Sequence, residues 1–524
     1  MQFKWITTTI VGMLAVSQPL STAYAQTLTV GAAAEATSLD PQFQNLSSNA
    51  QMQAMIFETL LGRDASAKVY PLLAASYELI DDTTWEFKLR EGVTWHNGDT
   101  FTAEDVRFSI ERVPTIEASP GPYDSYVAGI EEVEVIDDYT VRLHTAQPIP
   151  TLLLDLSVIF ILNHRITDGA TNDDFTSGSV AVGTGPYKFE SYSPRQELIV
   201  ARNDDYWGEL GDFENIEYRM ITNSAARSAA LLSGDVDYID QVPPSNIATI
   251  EQDSSLYINR FPALRSMFLV LDQTGDGPFV FDNDGAELPA SVLQDTRVRE
   301  ALSIAIDRGA IVDRVMEGAA FPSGQIMPEG ASGYVADISA PAYNPERAKE
   351  LLAEAGYPDG FRLTLHGPGG HYPNDAAIIQ AVAQYWSRID IETEVVVQPF
   401  AGFLGRAANQ EFSAWLASWG SSLGEAGSTL NSLVRSFNPE LNTGAANRHR
   451  FSDPELDALI DSMMTEMNPD RRLELMEDSV RMAMEKEAII PILLLQNVTA
   501  MRDHLEAQGR ADARIYAHDV RLKD

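Results

Sequence analysis

The 524-residue sequence contains no cysteine, so disulfides, thiolate metal sites and a cysteine nucleophile are all excluded. A lipid anchor on an N-terminal cysteine is excluded for the same reason. The chain is also short of positive charge, with 37 Lys and Arg against 76 Asp and Glu and a formal net charge of −39. A surface of this sign repels nucleic acid and anionic lipid, so neither is an expected partner.

Long apolar runs are missing too, and no stretch predicts a comfortable transmembrane helix. The first 25 residues instead have the pattern of a cleavable secretion signal. Lys4 supplies its positive charge, Ile6–Val16 its apolar segment and Ala23-Tyr24-Ala25 its cleavage site. Cleavage would leave 524 − 25 = 499 residues, enough for two or more lobes. We therefore expect a soluble, exported, monomeric protein of the periplasm.

A glycine-rich motif occupies residues 182–186, with the sequence VGTGP. A phosphate-binding loop would need a third glycine, and Pro186 stands where its helix would have to begin. Tyr187 and Phe189 then alternate with polar residues, as in a strand. The motif therefore predicts a tight turn into a core strand, where glycine permits positive φ or close backbone approach. His96, which has no second ligand at metal-binding spacing, is predicted to be a structural turn histidine.

Turn and cap signals divide the rest of the chain into alternating strands and helices, as expected of an α/β protein. Thr102 is predicted to cap one helix, and Asn344 to cap another that has Pro345 in its first turn and Gly356 as its stop. Ser452 is predicted to cap a later helix.

Longer patterns predict how these elements are connected. Residues 298–318 have the apolar spacing of one continuing helix. Residues 256–261 and 266–271 alternate as two strands, separated by Pro262 to Arg265. Residues 489–495 form an apolar run typical of a buried strand.

Five segments, taken in order, resemble the peptide-binding family (family 5) of bacterial extracytoplasmic solute-binding proteins. The matching segments are residues 85–112, 182–208, 232–237, 298–307 and 343–357. The family comprises the receptor subunits of ABC importers for dipeptides, oligopeptides, nickel and related solutes. The resemblance, which extends over nearly all of the chain after residue 25, implies an α/β fold of two lobes with a hinge and an extra subdomain inserted in lobe I.

The resemblance also implies an order of domains, in which residues 256–271 and 489–495 cross between the lobes. The expected order is the signal peptide at 1–25, lobe I at 26–62, the inserted subdomain at 63–182, lobe I again at 183–263, lobe II at 264–488, and a return to lobe I at 489–524.

Both lobes are expected to contribute to the ligand cleft. The candidate ligand-binding residues are Ala36, Thr37, Arg265, Met267, His371, Tyr372, Trp415, Trp419, Ser421, Ser422 and Glu425.

One of the candidate loops, residues 367–375, joins a strand to a helix. Asn374 or a neighbour is expected to cap that helix and aim backbone amides at a ligand carboxylate. Related proteins carry an arginine beside the tyrosine of this loop, whereas this sequence has His371. A histidine would hold a carboxylate more weakly and in a pH-dependent way.

The second candidate loop follows Trp419-Gly420, where the indole offers a stacking wall for an extended ligand. Dipeptide and oligopeptide binders place an aspartate just after this point, and it pairs with the free amino group of the ligand. Here Ser421 and Ser422 follow, and Glu425 is the nearest acid. Either Glu425 takes the amine or the ligand has no free α-amine, and the sequence leaves both open.

The predicted function is a periplasmic receptor that captures a short peptide or peptide-like solute and delivers it to ABC permease subunits of the inner membrane. No cofactor, metal or catalytic residue is expected. A non-peptide solute, such as an opine, an oligosaccharide, a glutathione-like compound or a metal chelate, is the alternative within this class. Free nickel is not expected, because His366 and His371 lack further ligands.

A secreted hydrolase is the rival class. We expect no G-x-S-x-G nucleophile motif, no SxxK motif next to a base, no HExxH motif and no Cys–His pair, but two separate carboxylates could still form a glycosidase pair. A ligand-loaded sensor without transport would have the same sequence signals as the receptor.

Overall fold

The computed structural model describes residues 26–274, 280–289, 292–421, 423–441 and 443–523. The predicted signal peptide at 1–25 and Ser422 lie outside the described residues. The strands are β1 Thr27–Ala32, β2 Leu61–Arg63, β3 Val69–Pro71, β4 Ala74–Asp81, β5 Thr84–Leu89, β6 Ile130–Asp137, β7 Thr140–Thr145, β8 Tyr187–Ser193, β9 Glu197–Arg202, β10 Asn215–Met220, β11 Tyr238–Ile239, β12 Leu256–Leu271, β13 Val280–Phe281, β14 Ala320–Pro322, β15 Phe361–Pro368, β16 Ile391–Gln398, β17 Ala414–Gly420, β18 Ile490–Arg502, β19 Leu505–Glu506 and β20 Arg521–Leu522.

Helices alternate with these strands along most of the chain. They are α1 Ser47–Gln53, α2 Ala103–Arg112, α3 Asp124–Val127, α4 Leu152–Leu156, α5 His164–Thr167, α6 Asn172–Thr176, α7 Ser224–Ser233, α8 Pro244–Glu251, α9 Thr296–Ile304, α10 Arg308–Arg314, α11 Pro345–Glu354, α12 Asp375–Trp386, α13 Phe403–Ala408, α14 Ala426–Leu433, α15 Pro454–Thr465 and α16 Pro469–Glu485. In the described part of the chain, none of them is both long enough and apolar enough to cross a membrane.

Twelve strands form one sheet that runs through both halves of the molecule. Its order is β13-β15-β17-β12-β18-β11-β1-β10-β9-β8, with β16 added on β15 and β14 on β18. We call the half around β1 lobe I and the half around β15 lobe II. β1 is parallel to β10 and β11, and β15 is parallel to β16 and β17, which is the pairing that helical crossovers produce.

Two neighbouring strands, β12 and β18, connect the two halves. They pair antiparallel from Leu256 opposite Arg502 to Leu269 opposite Ile490. The prediction of two separate strands around Pro262 to Arg265 is wrong, because β12 continues through these residues. The pairing accommodates the proline by shifting its register between Pro262 and Ser266, as at a β-bulge.

Each half has its own apolar core. In lobe II the sheet is covered on both faces, by one cluster that includes Leu302 and Trp386 and another that includes Phe268 and Trp415. Lobe I has a separate core around β1 and β10. Strands β4-β5-β7-β6 form their own antiparallel sheet with a further core, inside the range predicted for the inserted subdomain. The predicted domain bounds themselves remain a prediction.

Two of the predicted helix caps and the predicted helix stop are confirmed. Asn344 accepts a hydrogen bond from the Arg347 amide at 3.0 Å, Thr102 forms a capping box with Asp105, and Gly356 has the left-handed φ of +99° expected of a helix stop.

Two details of the helix prediction are wrong. The cap of α15 is Asp453, whose carboxylate accepts from the amides of Glu455 and Leu456, and not Ser452; Pro454 in the first helical position puts Asp453 at the cap. Residues 298–318 are also not one helix. α9 ends at Ile304, and α10 begins after Asp307, which caps it through the Ala310 amide.

The glycine-rich motif at 182–186 packs closely against the backbone before β2. A Cβ atom on Gly183 would lie 1.7 Å from the Ile56 carbonyl oxygen, and the Gly185 amide donates to that same oxygen at 2.9 Å. Neither glycine has a positive φ, so close approach is the reason for both. The ring of His96 lies 2.9 Å from the Gly185 carbonyl oxygen, and burial lowers its pKa to about 4. This is the structural role predicted for it.

Candidate ligand-binding site

One edge of β17 is open at the inner side of lobe II. β17 pairs with β12 along its whole length, from Ala414 to Gly420. On its other side it pairs with β15 only at Ala414 and Trp415. Residues 416–420 therefore have a strand neighbour on one side alone, among the residues the structure describes.

A small concavity of about 40 Å³ lies beside this open edge, and we call it the recess. The predicted site residues Tyr372, Trp415 and Trp419 all border it, together with Ser418 and Arg448. Trp415 is only 3% exposed and belongs to the lobe II core, whereas Trp419 is half-buried. The structure thus brings three predicted residues together, and the half-buried Tyr372 and Trp419 offer accessible aromatic surface.

The loop before α12 is stabilised differently from the prediction. Asn374 has a left-handed φ of +53°, and its side chain does not cap the helix. The side-chain amide instead donates to the Val315 carbonyl oxygen. Asp375 accepts the amides of Gly370, His371 and Tyr372 at 2.9 Å each. Asp375 therefore holds the backbone of the loop before α12, whereas the expectation that amides at the start of α12 bind a ligand carboxylate stays a prediction.

The side chains of this loop form an aromatic rim. The exposed ring of His371 stacks on Phe400, with ring centroids 3.5 Å apart and planes 5° apart. Tyr372 contacts both rings edge-on. Burial raises the pKa of the Tyr372 hydroxyl, and the nearby Arg265 is the largest influence that opposes this.

Arg265 lies on β12 directly opposite Gly420 of β17. Its side chain is exposed, and its guanidinium makes one long hydrogen bond, of 3.5 Å, to the Ser418 hydroxyl. A Cβ atom on residue 420 would lie 2.8 Å from this guanidinium, so Gly420 leaves the space that Arg265 occupies.

Arg448 borders the recess but was not among the predicted residues. Its loop is held from both sides, because buried Asn447 bonds to the backbone of Phe451 and the His449 carbonyl oxygen accepts from the Gln273 amide. A signal was present in the sequence, since residues 448–450 read Arg-His-Arg in a strongly acidic chain.

Glu425, the nearest acid after Trp419-Gly420, has both carboxylate oxygens engaged within the protein. One accepts from the Ser428 amide at 2.7 Å and so caps α14, and the other pairs with Arg472 at 2.5 Å. The side chain is 1% exposed. A ligand amine would have to displace Arg472, so this arrangement argues against Glu425 as the amine partner.

Ser421 is also used inside the protein. Its hydroxyl accepts from the Gly424 amide and donates to the Glu425 carbonyl oxygen, which closes the turn before α14. Met267 is fully buried in the lobe II core. The prediction that it lies on the surface of the ligand cleft is therefore wrong.

The lobe I candidates lie on the loop after β1. Thr37 is exposed, and its hydroxyl bonds to the side chains of Gln44 and Asn49. Ala36 is buried, and its carbonyl oxygen accepts from the Tyr192 hydroxyl at 2.6 Å. Among the described contacts, no hydrogen bond joins these two residues to the recess.

Residues 420–424 read Gly-Ser-Ser-Leu-Gly and match the G-x-S-x-G spacing of serine hydrolases, which the sequence reasoning missed. Such a motif acts where a strand turns directly into a helix. Here β17 ends at Gly420 and α14 begins only at Ala426, so the context differs. The described chain also holds no group of three or more histidine, aspartate or glutamate side chains placed to bind a metal ion.

Comparison with known proteins gives consistent matches over most of the chain. Residues 68–440 match the family described as bacterial extracellular solute-binding proteins, family 5 (middle). Heme-binding protein A of Haemophilus influenzae is 27% identical over 473 residues, covering 86% of this chain and 83% of that protein. The dipeptide-binding protein of Escherichia coli is 25% identical over 461 residues, covering 83% and 82%.

The fold matches a solved structure over nearly its full length. The structure of HbpA2 from Haemophilus parasuis superimposes with a TM-score of 0.82 at 24% identity, covering 95% of this chain and all of that one. At this identity the likeness shows the fold, and it agrees with two lobes connected by β12 and β18.

Proposed function

The chain belongs to family 5 of the bacterial extracellular solute-binding proteins, and from this premise we propose that it captures a short peptide or peptide-like solute for an ABC importer. The solute lies between the lobes, against the inner face of lobe II. The mature protein works as a monomer in the periplasm and hands its solute to the permease subunits of the importer.

The observation that carries this proposal is the open edge of β17 beside Trp419. An extended peptide added to a strand edge gains main-chain hydrogen bonds that do not depend on its side chains. Residues 416–420 offer such an edge, and the half-buried indole of Trp419 offers a surface for one side chain.

Binding is coupled to closure through the two connecting strands. A solute that touches both lobes only in the closed form shifts the population toward that form. β12 and β18 are continuous across the lobes, so closure bends them and breaks no strand pairing. The permease then recognises the closed form.

Within this function, the engagement of Glu425 favours a particular kind of solute. Its carboxylate already pairs with Arg472 and caps α14. A solute whose α-amine is blocked or absent therefore fits better than a peptide that needs a buried anion for its N-terminus.

The test is isothermal titration of the chain from Gln26 onward with Ala-Ala-Ala and N-acetyl-Ala-Ala-Ala, together with native mass spectrometry of solutes that co-purify. We expect binding of at least one peptide, with Trp419→Ala weakening it at least tenfold. Tyr257→Ala is the control, because it removes an exposed aromatic side chain of β12 outside the recess. Loss of binding in the control alone, or hydrolysis of the peptides, would contradict the receptor function.

A further inference from the structure

Arg448 borders the recess and Arg265 contacts Ser418 at its edge, and neither guanidinium has an acidic partner among the described residues. Arg448 is half-buried, yet its guanidinium makes no salt bridge and donates no hydrogen bond there. Arg265 has only its 3.5 Å contact with Ser418. By contrast, the neighbouring Arg435 pairs with both Asp457 and Asp461. A buried or half-buried guanidinium without an anion is unfavourable, and an oxyanion relieves it best.

The positive potential of both groups meets at Tyr372. Burial raises the pKa of its hydroxyl, and Arg265 and Arg448 act in the opposite direction. Asp375 is the carboxylate that, like burial, raises the pKa of Tyr372. Its oxygens are already bonded to the amides of residues 370–372. No described acid therefore neutralises this corner of the recess.

The loop that carries Arg448 is rigid before any solute arrives. The Asn447 side chain donates to the Phe451 carbonyl oxygen at 2.8 Å and accepts from the Phe451 amide at 3.1 Å. His449, on the other side, is 1% exposed. Because these anchors fix the backbone on both sides of Arg448, its side chain is presented to the recess at little further cost in entropy.

We propose that Arg448, assisted by Arg265 and the Tyr372 hydroxyl, binds a carboxylate of the solute. This inference depends on the proposed function, since it takes the recess as part of the ligand cleft. The volume of about 40 Å³ holds about three water-sized groups, which suits a carboxylate and excludes a bulky side chain. The part of the solute that enters the recess is therefore acidic. The local positive charge of the recess attracts it, although the net charge of the whole protein is −39.

The first experiment uses phenylacetate and its neutral analogue phenylacetamide, so that it does not depend on a peptide solute. Binding is followed by tryptophan fluorescence and by the Nε signals of ¹⁵N-labelled arginine. We expect phenylacetate to bind at least tenfold more tightly than the amide, and R448Q to remove that preference. Arg448→Lys, which keeps the charge, retains part of it.

Arg450→Gln is the matched control. It removes the same charge two residues away, from a guanidinium that donates to the Asn447 carbonyl oxygen and lies over Phe437. R448Q removes no described side-chain bond, so its thermal midpoint stays at that of the parent. Equal binding of the acid and the amide, or an unchanged preference in R448Q, overturns the proposal.

The second experiment finds the source of the carboxylate with N-acetyl-Ala-Ala-Ala, its C-terminal amide, and N-acetyl-Ala-Glu-Ala amide, in all of which the α-amine is blocked. If amidation of the C-terminus abolishes binding, the bound carboxylate is the C-terminus of the peptide. If the glutamate restores binding, the site also accepts an acidic side chain. Either result supports the proposal. Equal binding of all three overturns the carboxylate site and leaves the receptor function standing. Binding of none, with phenylacetate still preferred, overturns the peptide solute and leaves the carboxylate site standing.

Discussion

Two arginines of lobe II, Arg472 and Arg448, differ in what surrounds them. Arg472 lies on α16 and pairs with the buried carboxylate of Glu425 at 2.5 Å. Arg448 lies at the recess with no described anion, close to Tyr372. The first charge is neutralised within the protein, and the second is not.

The difference separates a charge used to hold the fold from a charge that the described contacts leave unused. Glu425 follows Trp419 closely in sequence and is charged, yet its oxygens are used within the protein. Arg448 is distant in sequence and retains its capacity to bond. Position just after Trp419-Gly420 in the sequence is therefore a poorer guide to binding than unused hydrogen-bond capacity.

The largest expected effect is on Glu425. Glu425→Ala leaves the Arg472 charge buried without its partner, so the free energy of unfolding should fall by roughly 3–5 kcal/mol. Glu474→Ala on α16, the helix that carries Arg472, removes an exposed ion pair with Arg471 and should change the free energy of unfolding by less than about 1 kcal/mol. Urea unfolding of both variants measures this, and similar losses in the two would remove the contrast.

Glu58, a buried carboxylate that forms no salt bridge with the described residues, sharpens the contrast. Glu58 accepts from Tyr206 and Trp207 at 2.8 and 2.9 Å, and burial raises its pKa from 4.5 to about 7. The folded protein thus holds a proton that the unfolded chain releases between these values. The stabilisation is complete below pH 4.5 and is lost as the pH rises through 7.

The shift of 7 − 4.5 = 2.5 corresponds to a loss of roughly 3 kcal/mol over that window. Burial also raises the pKa of Asp155, Asp240 and Glu487. These groups therefore also lower the free energy of unfolding as the pH rises. Urea midpoints at pH 4.5 and 7.5 should therefore differ less in Glu58→Gln than in the parent. An equal or steeper pH dependence in the variant would show that Glu58 is ionised in the folded state.

A smaller effect is expected at Asp375, which accepts three loop amides and is 2% exposed. Asp375→Ala leaves these amides without their acceptor and should cost roughly 2 kcal/mol of unfolding free energy. Asp470→Ala, in the first turn of α16, is the matched control, with a loss of less than about 1 kcal/mol. A loss in the control as large as that in Asp375→Ala would rule out the special role of the loop amides.

The smallest effect is expected at Arg448. R448Q breaks no described bond of the side chain, so the unfolding free energy should stay within about 0.5 kcal/mol of the parent. Arg472→Gln should instead be destabilised by roughly 3 kcal/mol or more, because Glu425 remains buried and unpaired. Thermal and urea unfolding of the two variants measure this difference directly. A large loss of unfolding free energy in R448Q would show that Arg448 has a structural role.

Local signals in the sequence were sufficient for much of the fold. Asn344, Asn468 and Thr102 each cap the helix that follows them, because capping depends only on neighbours within one turn. Tyr372 and Trp419, predicted from strand ends beside glycine, lie together at the recess, and their contact with a ligand stays a prediction. The prediction for α15 failed by one residue because Ser452 and Asp453 are both good caps, and only Pro454 distinguishes them.

The candidate site was harder because its charges are partnered over long distances in sequence. The partner of Glu425 lies 47 residues away, and no local pattern joins it to Arg472. Arg448 lies 76 residues beyond Tyr372, in a turn without periodicity. The bonding of Asp375 to the amides of residues 370–372 was not predicted either, because it depends on the geometry of the loop.

The open edge of β17 has a consequence for colloidal behaviour. An unpaired strand edge is a template on which another chain can add a strand, and residues 416–420 have a strand neighbour on one side alone among the described residues. The net charge of −39 makes copies of the chain repel one another before edges meet. High salt screens that repulsion, so the solute-free protein should be most prone to self-association there, and an added solute should protect it.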